Sequence, residues 1–242
     1  MSLNSPVKTS SYSVVKRLAE KSDLNDLVNI CKKCFPDEVL WNVKSLSRKY
    51  WDIALNSDSI EIWIWQINGR IASFGTVVVD LVRWKTEKIY HHQYSWITKL
   101  TALISNPYLT YSKIKKKIWM IKYKINKKKQ NNNRLIENPE NVSQISHKES
   151  ADNSLISYSG VYCNPETLVW GELAAILPEF RSFGLLALQM IKFGEDRALA
   201  LGKKEYYSVV HASKPWFALL DRLGYKRLYE ENARFTIRKE LS

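Results

Sequence analysis

The 242 residues predict a mixed α/β domain, with a mostly antiparallel, twisted sheet flanked by helices and a helical insertion between the third and fourth strands. Three observations carry that expectation. Two β-rich runs, Ile60 to Ile67 and Ile71 to Val82, flank Asn68-Gly69, the dipeptide that best closes a two-residue hairpin. The predicted elements follow the order β-α-α-β-β-(insertion)-β-α-β-α-β-β, with no internal repeat. Lys85 to Ser157 holds 14 Lys+Arg against 5 Asp+Glu, whereas the rest of the chain holds 23 against 19. That contrast, with the polar run Gln130 to Asn133, marks residues 85–157 as an insertion inside one domain spanning 1–242.

Composition bounds the class. An apolar fraction of 45% with 12% aromatics excludes a wholly disordered, collagenous or low-complexity chain. No run approaches the roughly 18 apolar residues that a membrane span requires. Met1 to Ser13 is polar and lacks the pattern of a secretory signal. Three cysteines form no disulfide framework, so the expected setting is reducing and cytoplasmic.

Each element has a local cause. Val14 and Val15 lead into a first strand, and Ser22 and Asp23 are suited to cap the helix that follows. Leu24, Leu27, Val28 and Cys31 recur at helical spacing up to Phe35-Pro36, where proline stops the helix. A second helix, rich in Trp and Leu, is expected from Asp37 to Leu55. Within the insertion, Trp96 to Ile104 forms a short apolar-faced helix ended by Pro107. Ile114, Ile118, Ile121 and Ile125 then line one face of a helix with nine lysines and no acid from Lys113 to Lys129. Thr167 to Leu177 reads as a strand, Pro178 to Gly184 as a loop, and Leu185 to Leu201 as a helix closed by Gly202. Glu205 to Val210, Lys214 to Leu223, Tyr225 to Tyr229 and Ala233 to Glu240 supply strand, helix and two closing strands.

The run from Leu173 to Met190 brings a strand through an Arg- and Gly-bearing loop directly into a helix N-terminus. Unpaired backbone N–H groups and the positive helix dipole suit a pyrophosphate there. Gly184 lets the chain approach without a side chain in the way. By itself this is also an ordinary strand-loop-helix connection.

The stretch resembles the acyl-CoA signature of the GNAT superfamily of N-acyltransferases, Val-x-Pro-x-Tyr-Arg/Gln-x-x-Gly-x-Gly/Ala. Ile176, Pro178, Phe180, Arg181 and Gly184 fall on its positions. The opening strand and helices, the Asn-Gly hairpin and the ending Ala218 to Tyr225 are similar to that fold in order. The resemblance therefore implies a GNAT-like fold and an acyl-CoA-dependent N-acyltransferase, with acetyl-CoA or a longer acyl-CoA as donor and no metal. It implies that the strand ending at Ile176 pairs with pantetheine and that amides from Arg181 to Leu186 hold the pyrophosphate. The implied cofactor-binding set is Ile176, Leu177, Arg181, Ser182, Phe183, Gly184, Leu185, Leu186, Ser213 and Trp216. Two positions depart from the pattern: Leu186 replaces the last small residue, and Leu220 stands where the family often has a proton-donating tyrosine. Ser213 stands at the usual upstream asparagine.

An amine acceptor with a lysine-like pKa near 10.4 must lose its proton before attack, which at pH 7 costs roughly 4.6 kcal/mol. A carboxylate or imidazole near the amine can accept it. Glu172, on the strand before the loop, lies where the family often places such a base, and it also reads as a surface or salt-bridged glutamate. His211, ending the next strand, ranks second. Backbone N–H near Ile176 would polarise the acyl carbonyl. Cys31-Lys32-Lys33-Cys34 lacks the second pair or histidines of a metal site. Cys163 has no base nearby in sequence and reads as inert, and His91-His92 as a solvated pair.

The basic helix has four candidate uses. The first is a lysine face over an apolar stripe packed on the domain. The others are peripheral contact with an anionic membrane, contact with nucleic-acid phosphates, and recruitment of an acidic acyl carrier protein as donor. Tyr90 to Tyr111 suits the lining of a longer acyl chain. The function expected is transfer of an acetyl or longer acyl group to a primary amine of a peptide, sugar or small metabolite. Nucleic acid ranks below these partners. The alternative is a non-catalytic module of the same fold that binds nucleic acid or membrane through its insertion.

Overall fold

The computed structural model describes residues 13–92, 96–135, 154–181, 184–211 and 217–242. A seven-stranded sheet runs through them: β1 (Val14–Leu18), β2 (Ile60–Ile67), β3 (Arg70–Val78), β6 (Leu168–Ile176), β7 (Glu205–His211), β8 (Lys226–Glu231) and β9 (Arg234–Glu240). Its spatial order is β1-β2-β3-β6-β7-β9-β8, and only the β6–β7 pair is parallel. A separate two-stranded hairpin, β4 (Ile156–Tyr158) and β5 (Val161–Cys163), precedes β6.

The hairpin at Asn68-Gly69 forms as predicted. Both residues have left-handed φ, 51° and 76°, the backbone that a twist-matched two-residue turn needs. Asn232 and Ala233 close β8 onto β9 in the same conformation.

Strand side chains alternate between two helical layers, which is why β2 and β3 are apolar on both faces. On one side Ile60, Ile62, Ile64, Phe74 and Val78 share a core with α1 (Leu24–Cys34), α2 (Val39–Asn42) and α3 (Lys44–Asn56). On the other, Trp65, Ile67, Ala72, Val77 and Val169 meet α7 (Gly184–Ala200) through Leu186 and Ala198. Room for α7 is made by two glycines. A Cβ at Gly171 or Gly194 would stand 2.2 Å or 2.8 Å from the Tyr206 hydroxyl, which occupies the space between strand and helix. Arg197 on α7 then clamps Glu61 on β2, with Nε at 2.9 Å.

Several boundaries differ from expectation. The predicted helix Asp37 to Leu55 is two helices, because Val43 adopts extended backbone between α2 and α3. The strand expected to reach Val82 stops at Val78, and α4 (Leu81–His92) begins there instead. Asp80 Oδ1 accepts the Arg83 N–H at 2.9 Å, which supplies that helix with its start. Asp23 makes no capping bond to α1; its carboxylate accepts from Arg17 and from the Glu20 N–H at 2.8 Å. Pro107 opens a helix as much as it ends one. α5 (Trp96–Ser105) stops before it, and α6 (Pro107–Leu135) starts on it, with Asn106 Oδ1 accepting the Leu109 N–H at 3.0 Å.

The α6 helix lies against the domain with a face other than the one its isoleucines suggested. Leu109 is buried with Val39 and Ala102, Lys116 pairs with Asp37 at 2.6 Å, and Lys127 pairs with Glu230. Trp119 sits 5.1 Å from the His211 ring and stacks on Tyr123, which packs against Val210, Leu220 and Phe235. Ile114, Ile118, Ile121 and Ile125 remain 50–54% exposed. The stripe expected to pack on the domain therefore faces outward, because the aromatic side of the helix fills the space over β7 and β9. Among the described residues no helix is long and apolar enough to cross a membrane.

Candidate active site

The site is made by an irregularity in β6. Opposite Gly75, Thr76 and Val77 of β3, the register runs Gly75↔Ala174 and Val77↔Gly171, so Glu172 and Leu173 together oppose Thr76 alone. This is a β-bulge, which bends its strand and re-aims the side chain it carries. The Thr76 hydroxyl holds it by donating to Leu173 O at 3.0 Å and accepting from Leu173 N at 2.8 Å.

The bend coincides with the end of the β6–β7 ladder. Parallel pairs run from Leu168↔Glu205 to Gly171↔Ser208, and the Ser208 hydroxyl donates to Gly171 O at 2.9 Å. Among the described residues the two strands make no further pairs, so Glu172 to Ile176 and Val209 to His211 diverge around an open wedge. One edge of β6 beyond the bulge is thus left unpaired, and it leads into the turn before α7.

Glu172 stands at the opening of that wedge with both carboxylate oxygens engaged. Lys88 of α4 pairs with one, and the Tyr158 hydroxyl of β4 donates to the other at 2.7 Å. Lys88 Nζ also reaches the Tyr158 hydroxyl at 3.2 Å. Burial first, and then the neighbouring Glu172 charge, push the Tyr158 pKa far above its ordinary value, so the phenol stays protonated and donates. Tyr158 is edge-on to Trp170 at 4.7 Å, which fixes its ring. Neither Lys88 nor Tyr158 was singled out from the sequence. They lie 84 and 14 residues from Glu172, Lys88 inside the 85–157 insertion and Tyr158 just after it.

His211 ends β7 on the other lip, under Trp119 of α6. Among the implied cofactor residues, Ile176 closes β6, and its carbonyl accepts from Arg181 Nε at 3.1 Å and Cys34 Sγ at 3.3 Å. The Leu177 N–H is committed to Ala72 O at 2.9 Å. Pro178 to Phe180 form a 3₁₀ turn, Arg181 is exposed, and Gly184 opens α7, where Leu185 is exposed. Leu186 turns its side chain inward and is 3% exposed against Trp65, Ile67 and Ala72. Its size, larger than the family's small residue, is absorbed by the core. Ser182, Phe183, Ser213 and Trp216 lie outside the described residues, as do the side chains of His91 and His92.

Leu220 is buried with Val210 and Tyr225. Cys31 and Cys34 are both buried on α1, and burial, helped by Glu205, pushes the Cys163 thiol up to about 11. Of the stretch expected to line an acyl chain, Leu100, Ile104, Tyr108 and Tyr111 are exposed, Leu109 is buried against Val39, and the side chains of residues 89–99 lie outside the description.

No family model matches the sequence, and no curated protein matches it either. Solved structures do match its fold. The ribosomal-protein-S18-alanine N-acetyltransferase of Escherichia coli is 10% identical with a TM-score of 0.51, the match covering 95% of each chain. A protein of Desulfovibrio desulfuricans assigned as an acetyltransferase of the GNAT family is 7% identical with a TM-score of 0.50, covering 95% of this chain and 100% of that one. The chain thus has the fold of these acetyltransferases, a mostly antiparallel sheet with helices on both faces.

Proposed function

We propose that this chain is an N-acyltransferase, moving an acetyl or longer acyl group from acyl-CoA, or from an acyl carrier protein, to a primary amine of a peptide, amino sugar or small metabolite. The observation that carries this reading is the bulge-and-wedge of β6. It offers an unpaired backbone edge for an extended pantetheine-like arm, and it ends at the N-terminus of α7, where a pyrophosphate is favoured. Residues 1–242 act as one catalytic domain, with residues 85–157 inserted into it.

On this reading the residues of the wedge take the following roles. The acceptor nitrogen attacks the thioester carbon; a C–N bond forms, the C–S bond breaks, and sulfur leaves with the bonding pair. Glu172 accepts the amine proton, directly or through water. Lys88 and Tyr158 take up one lone pair on each of its oxygens and leave others available. His211, on the opposite lip, is the second candidate base. Leu220 supplies no acid to the leaving sulfur, but a thiol with an ordinary pKa near 8.5 departs as thiolate without one. Ile176, Arg181, Ser182, Phe183, Gly184 and Leu185 flank the donor arm, with Ser213 and Trp216 beyond β7.

Calorimetry with acetyl-CoA and decanoyl-CoA, followed by thiol release in the presence of a model primary amine, tests the proposal. Binding and turnover with acetyl-CoA support an acetyltransferase, and preference for decanoyl-CoA supports an acyl pocket under the insertion. If neither thioester binds, the same assay is run with an acyl-loaded acyl carrier protein; if that too releases no thiol, the proposal fails and the non-catalytic alternative takes its place.

A further inference from the structure

The α6 helix presents two faces of opposite character. Leu109, Lys116, Trp119 and Tyr123 turn toward the domain, where they find apolar or acidic partners. Directly opposite them, Tyr111, Ile114, Ile118, Ile121 and Ile125 form an exposed row, each at least 50% exposed. At 1.5 Å per residue that row is about 21 Å long. Lys115 and Lys122 flank it on one side and Lys117 and Lys124 on the other, because those positions follow the row at the spacing of a heptad's lateral sites. Among the described residues none of these four lysines has an acidic partner, whereas the inward Lys116 and the domain-facing Lys127 both do.

From this we infer that α6 is a docking helix for an anionic lipid surface, lying in the headgroup plane with its isoleucine row inserted. The pattern requires one partner that is apolar at its centre and negatively charged on both sides. An interfacial bilayer satisfies both requirements along the whole row: isoleucines enter the acyl boundary, and lysine stems lie along it with their ammonium groups at the phosphates. A second copy of the chain fits poorly. Its lateral positions would set lysine against lysine, and the row spans only about two heptads, fewer than a stable coiled coil sustains. Nucleic acid would use the lysines and leave the isoleucines in water. The inference is independent of acyl transfer, since none of these residues belongs to the wedge.

Co-sedimentation of the full chain with vesicles of phosphatidylcholine alone, and of phosphatidylcholine mixed with phosphatidylglycerol, tests it. The expected result is binding to the anionic vesicles only, weakened by salt. Ile118→Asn with Ile121→Asn should lower that binding at least about tenfold. Lys115→Gln with Lys122→Gln should lower it by about fivefold per lysine. All four side chains are exposed, so an unchanged thermal melt is expected of both variants, and the lysine pair still tests the surface if the isoleucine pair unfolds. Absence of binding to anionic vesicles overturns the inference. So does binding that the isoleucine changes leave intact, which would mean charge alone, as for nucleic acid. A chain that ignores vesicles but self-associates until Ile118 and Ile121 are changed also overturns it, in favour of a dimer seam.

Discussion

From Leu168 to Gly171, β6 is held by β7 on one side and, from Trp170 on, by β3 on the other, and all four residues are buried. From Glu172 to Ile176 the same strand is paired with β3 alone, and four of its five residues are partly or largely exposed. One extra residue at the bulge separates the two halves. The first half behaves as core, where each side chain is fixed by contacts on both faces. The second half has the same backbone chemistry but leaves one edge without a β7 partner, and it carries the only carboxylate of the strand. A single extra residue is thus enough to turn a buried strand into one with a free edge without opening the core behind it.

That division can be broken from either side. Trp170→Ala removes a 1%-exposed indole packed between Tyr158 and Tyr207 and should cost about 3–5 kcal/mol in denaturant unfolding, since the cavity has no way to collapse. Glu172→Gln should do the reverse: acyl transfer to a model amine slows about a hundredfold or more, while the unfolding midpoint moves little. If the rate is unchanged and stability falls instead, Glu172 belongs to the structural half and His211 becomes the base to test.

Gly171→Ala probes the boundary itself. The new methyl would stand 2.2 Å from the Tyr206 oxygen, so a loss of about 1–3 kcal/mol is expected, with part of it recovered when Tyr206→Phe is added. An additive double variant would show that the close approach is not the cause.

The smallest effect lies away from the wedge, at the carboxylates that tie the sheet's edge and α7 in place. The Asp23 carboxyl is held below its ordinary range by its hydrogen bonds from Arg17. For Glu61, burial acts upward, but Arg197 and the Trp63 indole outweigh it, and the net shift is also downward. Groups with depressed folded values contribute stability that is fully present above the unfolded values, near 3.9 and 4.3, and is lost as pH falls through the folded ones. Each pair should contribute about 1 kcal/mol, read as a falling unfolding free energy between about pH 5 and about pH 2. Arg17→Gln should flatten its share of that slope without altering transfer rates at neutral pH.

Much of the frame was legible in the residues, and the misses share a cause. The Asn68-Gly69 turn, the strand-loop-helix from Thr167 to Gly202 and the long basic helix all announce themselves in short windows, because turn chemistry and periodicity are local. The break at Val43 and the end of β3 at Val78 are less visible, since β-branched and aromatic residues there suit either backbone. The bulge left no mark, because Glu172-Leu173 is ordinary strand sequence, and the extra residue exists only relative to the register of β3. Lys88 and Tyr158 were silent for the same reason: nothing near either of them in sequence points to Glu172.

The α6 helix shows where local reading stops. Its sequence determined that a helix forms, that one stripe is isoleucine and that lysines flank it. Which side turns inward was decided by the tertiary structure alone. Periodicity ranks faces by hydropathy, and the isoleucine face ranks first; the domain selects by shape and partner. Trp119 meets His211, Tyr123 fits the cluster at Val210 and Phe235, and Lys116 and Lys127 find acids on α2's approach and on β8. The sequence thus set the elements and the chemistry each can offer. Pairing, register and the choice of inward face needed the rest of the molecule, because those energies belong to contacts between residues far apart along the chain.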